Sequence, residues 1–188
     1  KIKGIVDELE RQGLTHASLK MTLFLYVNNL MHPKTPLQAG EYQIPANTNP
    51  FTIAKKMMEG DKIRRTFTIP EGYNVREVAK VLASKGLLTD QETFVKEALS
   101  FDAAYFMGID ANNLEGYLFP DTYEYSKNMT KDQILRKMVD NFKRHFDENM
   151  QRRAKELHMT PAQVVTLASI IEKETAQEAE RPLISSVF

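Results

Sequence analysis

At four predicted helix starts a threonine or asparagine stands three residues ahead of a glutamine or glutamate: Asn74–Glu77, Thr89–Glu92, Thr130–Gln133 and Thr160–Gln163. At this spacing the first side chain accepts from an amide of the first helical turn. The second side chain reaches back to the amide of the first, so two unpaired donors are satisfied reciprocally. Pro161 adds a backbone angle already set for the first helical position, and Asn49-Pro50 is a shorter version of the same start. A chain punctuated this way folds into short helices rather than a large sheet. The apolar stripes between these starts predict helices near residues 3–12, 15–30, 50–59, 75–85, 90–99, 130–156 and 161–179.

Strand signals are fewer. Prolines and a glycine break the segment from Lys34 to Pro45, leaving room for a short strand at Gly40–Ile44. Arg65 to Ile69 alternates polar and apolar side chains, as a half-buried strand does, and ends in the turn Pro70-Glu71-Gly72. The fold class expected is therefore α+β. "IVDELERQGL" (5–14) and "VAKVLASKGL" (78–87) are both amphipathic helices stopped by a glycine and followed by leucine. Either two ordinary helix ends or a repeated small α/β unit accounts for them. The strand, turn and capped helix of 65–86 also resemble a LysM-like carbohydrate-binding unit.

Composition narrows the functional classes. With 188 residues, 42% hydrophobic and 27% charged, the chain is long and apolar enough for one large or several small cores. Lysine plus arginine equal aspartate plus glutamate at 25 each, which argues against a general electrostatic grip on nucleic acid. The basic residues crowding 131–155 are interleaved with acidic ones and read as a solvated helix face. No cysteine is present, so disulfides and thiolate metal sites are excluded. His16, His32, His145 and His158 are scattered without metal-ligand spacing, and neither a phosphate-binding glycine loop nor a G-x-S-x-G elbow occurs.

What remains is carboxylate chemistry. In "NNLEGYLFPDTYEY" (112–125), Tyr117, Phe119, Tyr123 and Tyr125 alternate along the chain. Alternating aromatics make one buried face of a strand, or a groove wall on which sugar rings stack with Glu115, Asp121 and Glu124 as polar partners. Further on, "ASIIEKETAQEAER" (168–181) drives an apolar helix into a cluster of charges. If the helix runs on past Thr175, Val164, Leu167, Ala168 and Ile171 form its core-facing stripe, and Glu172 and Glu174 flank that stripe on opposite edges. Glu174 then has Leu167, Ile170 and Ile171 behind it and Glu178 one turn ahead, whereas Glu172 has Val165, Ala168, Ser169 and Ala176. Apolar neighbours and a like charge both disfavour ionisation, so Glu174 is the better candidate for a raised pKa and for a general acid. Arg181 is placed to pair with Glu178. A solvated helix end remains the plain alternative.

"LASIIEKETAQEAERPLISSVF" (167–188), preceded by "LEGYLFPDTYEY" (114–125), resembles the MltG (YceG-like) family of endolytic murein transglycosylases. "LQAGEYQI" (37–44), "TIAKKMMEG" (52–60) and "IPEGYNVREVAKVLASKGL" (69–87) match that family's N-terminal region in order. The resemblance implies a three-part chain: an N-terminal α/β subdomain (1–64), a LysM-like β-α subdomain (65–100) and a helix-rich catalytic domain (101–188). It implies lytic cleavage of nascent peptidoglycan between MurNAc and GlcNAc, leaving 1,6-anhydro-MurNAc ends, with no metal or organic cofactor. The second glutamate of the E-K-E motif, Glu174, would be catalytic, with Glu172, Glu115 and Asp121 in support and Tyr117, Phe119 and Tyr123 lining the groove. Members of the family are single-pass proteins of the cytoplasmic membrane with the enzyme domain outside, in contact with cell-wall synthesis proteins. They begin with a membrane helix and continue past "SSVF". A chain truncated at both ends, with an incomplete active site, is therefore expected. A non-catalytic peptidoglycan-binding module and a hydrolase of the same glycan are the competing readings.

Overall fold

A computed structural model describes residues 2–11, 13, 22–26, 37–38, 40–45, 48–175 and 177–187. The chain divides into two units, residues 1–65 and 66–188.

The first unit is built on α1 (Ile2–Arg11) and α2 (Pro50–Glu59). Val6 and Leu9 from α1, Leu25 from the helical residues 22–26, and Ile53, Ala54 and Met57 from α2 share one small core. Asn49 caps α2 as expected, its side chain accepting from the Phe51 amide at 2.9 Å. The remainder of the helix expected at 15–30 lies outside the described residues. The strand expected at Gly40–Ile44 is absent. Gly40 lies in a bend and 41–44 take no regular structure; among the described residues the backbone bond from them to a later segment is Ile63 N–H to the Glu41 carbonyl at 2.7 Å, too little for a ladder.

The second unit threads β1 (Arg65–Thr68), α3 (Val75–Ser84), α4 (Gln91–Ala98), α5 (Phe101–Phe106), β2 (Thr122–Tyr125), α6 (Lys131–His145), α7 (Glu148–Glu156), α8 (Pro161–Glu174), a 3₁₀ turn (Glu178–Glu180) and α9 (Arg181–Ser185). From Thr66 on, β1 pairs with β2 in a two-stranded antiparallel sheet, so the α+β class holds. Phe67 stacks on Tyr123 at 5.4 Å across the pair, and the Thr68 and Thr122 hydroxyls meet at 2.8 Å. One core joins Phe67, Val78, Leu82, Phe94, Leu114 and Met138, so residues from 65–100 and from 101–188 are buried together.

The capping boxes at Asn74, Thr130 and Thr160 all form. At the fourth start the cap is Asp90 rather than Thr89, its carboxylate accepting from the Glu92 and Thr93 amides. Gly13 and Gly86 both take left-handed φ near 70° after their helices, which is the conformation a C-terminal stop requires.

Two expected long helices are broken. The one at 130–156 ends at Phe146, and Asp147 starts α7 by accepting from the Met150 amide at 2.9 Å. The turn buries Phe146, whose ring stacks on Phe142 at 5.5 Å. The helix expected at 161–179 stops at Glu174, where Thr175 turns extended. Its hydroxyl donates to Glu180 at 2.7 Å and accepts from the Gln177 amide at 3.0 Å. Neither α5 nor α9 was expected.

Candidate active site

The stripe on α8 does not enter a core: the helix has no buried residue. Val165 packs against the core's edge, while Val164, Leu167 and Ile171 are half-buried. The approach is close because Gly116, at φ +82°, faces Val165. A Cβ there would stand 2.5 Å from Val165 Cγ1. Between α8, the segment 111–120, the C-terminal end of α6 and the turn after β1 runs an open groove of about 820 Å³. That is the size range of ligand sites.

One wall is aromatic. Tyr117 meets Phe142 edge-on at 5.0 Å, and Phe119 lies flat on the His145 ring at 4.1 Å. The His145 Nδ1 is engaged by the Asn141 carbonyl at 2.9 Å, which sets the ring's orientation. Tyr117 is 4% exposed, and its buried hydroxyl has no partner among the described residues. Burial, with Asp110 nearby, pushes its phenol above the ordinary tyrosine value.

The opposite end is charged. Arg181 reaches back from α9 and binds Glu172 at 2.9 Å, with Glu71 at 3.8 Å. Lys173 Nζ donates to the Gly72 carbonyl at 3.0 Å, and the Glu172 side chain lies against Gly72. The turn Pro70-Glu71-Gly72, which reads in the sequence as the end of a strand, is thus a groove wall. Glu115 completes this end: both its oxygens accept from the Val75 amide at the start of α3, at 3.1 and 3.4 Å. An anion is favoured at that helix terminus.

The expected site residues therefore separate. Glu172, Glu115, Tyr117 and Phe119 line the groove. Glu174 does not. It is exposed at the last residue of α8, with Ile170 behind it 36% exposed. Leu167, Ile170 and Ile171 still precede Glu174 on α8, yet its side chain is exposed, and because the helix ends there Glu178 is no longer one turn ahead. Ala176 lies outside the described residues. Arg181 pairs with Glu172 and Glu71, not with Glu178.

Tyr123 is buried in the core, donating to the Phe119 carbonyl at 2.5 Å, and burial raises its phenol pKa. Asp121 sits at the start of β2, where the Thr122 amide and the Asn141 side-chain amide bind its two oxygens. Those hydrogen bonds, the Thr122 amide first, hold its carboxyl below the usual aspartate value. Sequence reasoning missed Gly72, His145, Lys173 and the true partner of Arg181. Of these, only the Pro-Glu-Gly turn carried a visible signal. Among the described residues no group of three or more histidines and carboxylates is arranged to hold a metal ion.

The unit from 66 to 188 is thus a small α+β domain with an open groove, aromatic along one wall and ending in a carboxylate–guanidinium pair. The chain belongs to the YceG-like family, whose model matches residues 1–188. It is 26% identical to the endolytic murein transglycosylase of Streptococcus pneumoniae D39, across all of this chain and 38% of that protein. It is also 26% identical to the endolytic murein transglycosylase of Bacillus subtilis 168, across 80% of this chain and 46% of that protein. The chain thus spans less than half the length of these curated relatives. A crystal structure of a YceG-like protein from Listeria monocytogenes is similar with a TM-score of 0.56 and 25% identity, covering 96% of this chain and 63% of that one.

Proposed function

We propose that the protein is an endolytic murein transglycosylase whose groove takes a peptidoglycan glycan strand. The observation that carries this reading is the groove itself. Sugar rings present apolar C–H faces and polar rims, and an aromatic wall opposite charged groups suits both. Two relatives bearing that enzyme name, matching all or most of the chain, support it.

The chemistry needs one carboxyl group. Protonated, it donates to the glycosidic oxygen as the C1–O bond of MurNAc breaks through an oxocarbenium-like state. The resulting carboxylate takes the proton from the C6 hydroxyl of the same sugar as O6 bonds to C1. The product is a 1,6-anhydro end, and the acid is regenerated. Because the nucleophile is tethered to the reacting sugar, its effective concentration is high without a second protein base.

The family motif assigns the acid to Glu174. The groove offers Glu172, since its carboxylate stands in the lining beside Arg181. Glu115 and the aromatic residues Tyr117 and Phe119 would hold the strand. Residues 65–100 would contribute glycan binding as a LysM-like unit. The protein would act outside the cytoplasmic membrane, beside the cell-wall synthesis machinery. No helix among the described residues is long and apolar enough to cross a membrane.

Mass spectrometry of purified peptidoglycan treated with the full-length protein, Glu174→Gln and Glu172→Gln tests this directly. Anhydro-ended fragments from the parent, lost in one variant, support lytic cleavage and identify the acid. The expected loss is on the order of 10²-fold or more in rate. Reducing ends instead would make it a hydrolase. Binding without fragments from any protein would make it a binding module.

A further inference from the structure

Arg181 is used on only part of its hydrogen-bonding edge. A guanidinium presents its Nε–H and one Nη2 N–H side by side, a fork that suits two acceptor oxygens. Here Nη2 takes Glu172 at 2.9 Å, with Glu71 more distant at 3.8 Å. Nε is sealed from solvent and has no partner among the described residues, although the side chain as a whole is 33% exposed. A sealed N–H with no acceptor is rare in folded proteins and marks a place where another group completes the arrangement.

The surroundings point to that group. Arg181 lines the groove, and Tyr117, in the wall of the same groove, carries the other buried side-chain polar atom without a partner among the described residues. The charged neighbours are accounted for: Lys173 is tied to the Gly72 carbonyl, and Glu172 and Glu71 both face the guanidinium. The fold also spends structure on delivering this side chain. Thr175, 7% exposed, breaks α8 and clasps Glu180, which turns the chain so that Arg181 returns over the last turn of the helix it has just left.

We infer that Arg181 is a positioning residue of the groove. Its Nη2 holds the Glu172 carboxylate at the wall, and its Nε–H meets an oxygen of the bound glycan when the partly exposed guanidinium turns toward the groove. This rests on the glycan reading above and adds to it a specific anchor point. Lysine could keep the charge beside Glu172, but it lacks the second donor fixed in the same plane.

The test uses the full-length protein and isolated peptidoglycan glycan strands, with kcat, KM, direct strand binding and melting temperature measured together. Arg181→Lys is expected to raise KM and weaken strand binding about tenfold, with kcat less affected and the melting temperature retained. Arg181→Ala is expected to lower kcat as well, by about 10–100-fold. Added guanidinium ion should restore part of that loss, an effect that a merely structural role would not produce. Wild-type kinetics and binding in Arg181→Lys would overturn the inference. So would an Arg181→Ala loss that follows the melting temperature and resists guanidinium. If the parent binds strands but leaves them whole, the lytic reading fails, and the Arg181→Lys binding ratio alone decides for or against the anchor.

Discussion

Asp121 illustrates how little a residue's place in a motif says about what its side chain touches. It sits between two aromatic residues that read as groove lining, yet its oxygens are taken by the Thr122 amide at 2.6 Å and the Asn141 amide at 2.8 Å. Its carboxyl is held below the ordinary value by those bonds. A depressed folded-state pKa stabilises the fold above the unfolded value of about 3.9, and that contribution is lost as pH falls through the lower folded value. Equilibrium unfolding followed into acid should therefore show a shallower loss of stability for Asp121→Asn than for the parent below about pH 4. The effect is small because the group is largely exposed and screened. An unchanged acid slope would mean that the two hydrogen bonds do not favour the ionised form.

At the scale of elements, α8 behaves unlike the other long helices. Its apolar composition predicts burial, but it touches the core through Val165 and leaves Ala168 and Ile170 exposed. Its seat depends on Gly116, where both the left-handed φ and the 2.5 Å approach to Val165 exclude a side chain. Gly116→Ala should cost about 1–3 kcal/mol from overpacking, with more from the backbone conformation. Adding Val165→Ala should return the packing part and leave the conformational part. Denaturant unfolding of the single and double variants separates the two. Full recovery in the double variant would show that the left-handed conformation is not strained by alanine. The breaks after α6 and α8 have a common cause: a side chain that caps or clasps the next turn competes successfully with another turn of helix. Asp147 does so for α7, and Thr175 for the 3₁₀ turn.

At the scale of the whole molecule, the described residues form two cores, and the site lies in the unit that holds the larger one. Phe94 is 1% exposed at the centre of that core, among residues from both sides of the sheet sequence. Phe94→Ala should cost about 3–5 kcal/mol, because the vacated volume is not refilled. Hydrogen exchange over residues 66–188 should accelerate accordingly. A loss below about 1 kcal/mol would mean that the helices collapse onto the cavity.

Much of this organisation was legible in the chain. Capping boxes, glycine stops and stripes act between residues three or four apart, so the sequence alone determined where α2, α3, α6 and α8 begin and that the fold is mostly helical. It also placed a carboxylate cluster at the end of an apolar helix. The groove was decided elsewhere. Lys173 bonds to Gly72 across 101 positions, and Glu115 to Val75 across 40. Glu172 and Glu174 stand on opposite edges of α8, and it was the packing of α8 against the turn at Gly72, with Arg181 sent back by the break at Thr175, that brought Glu172 and not Glu174 to the lining. Such pairings depend on how separate elements pack, and no periodicity along one helix carries that information.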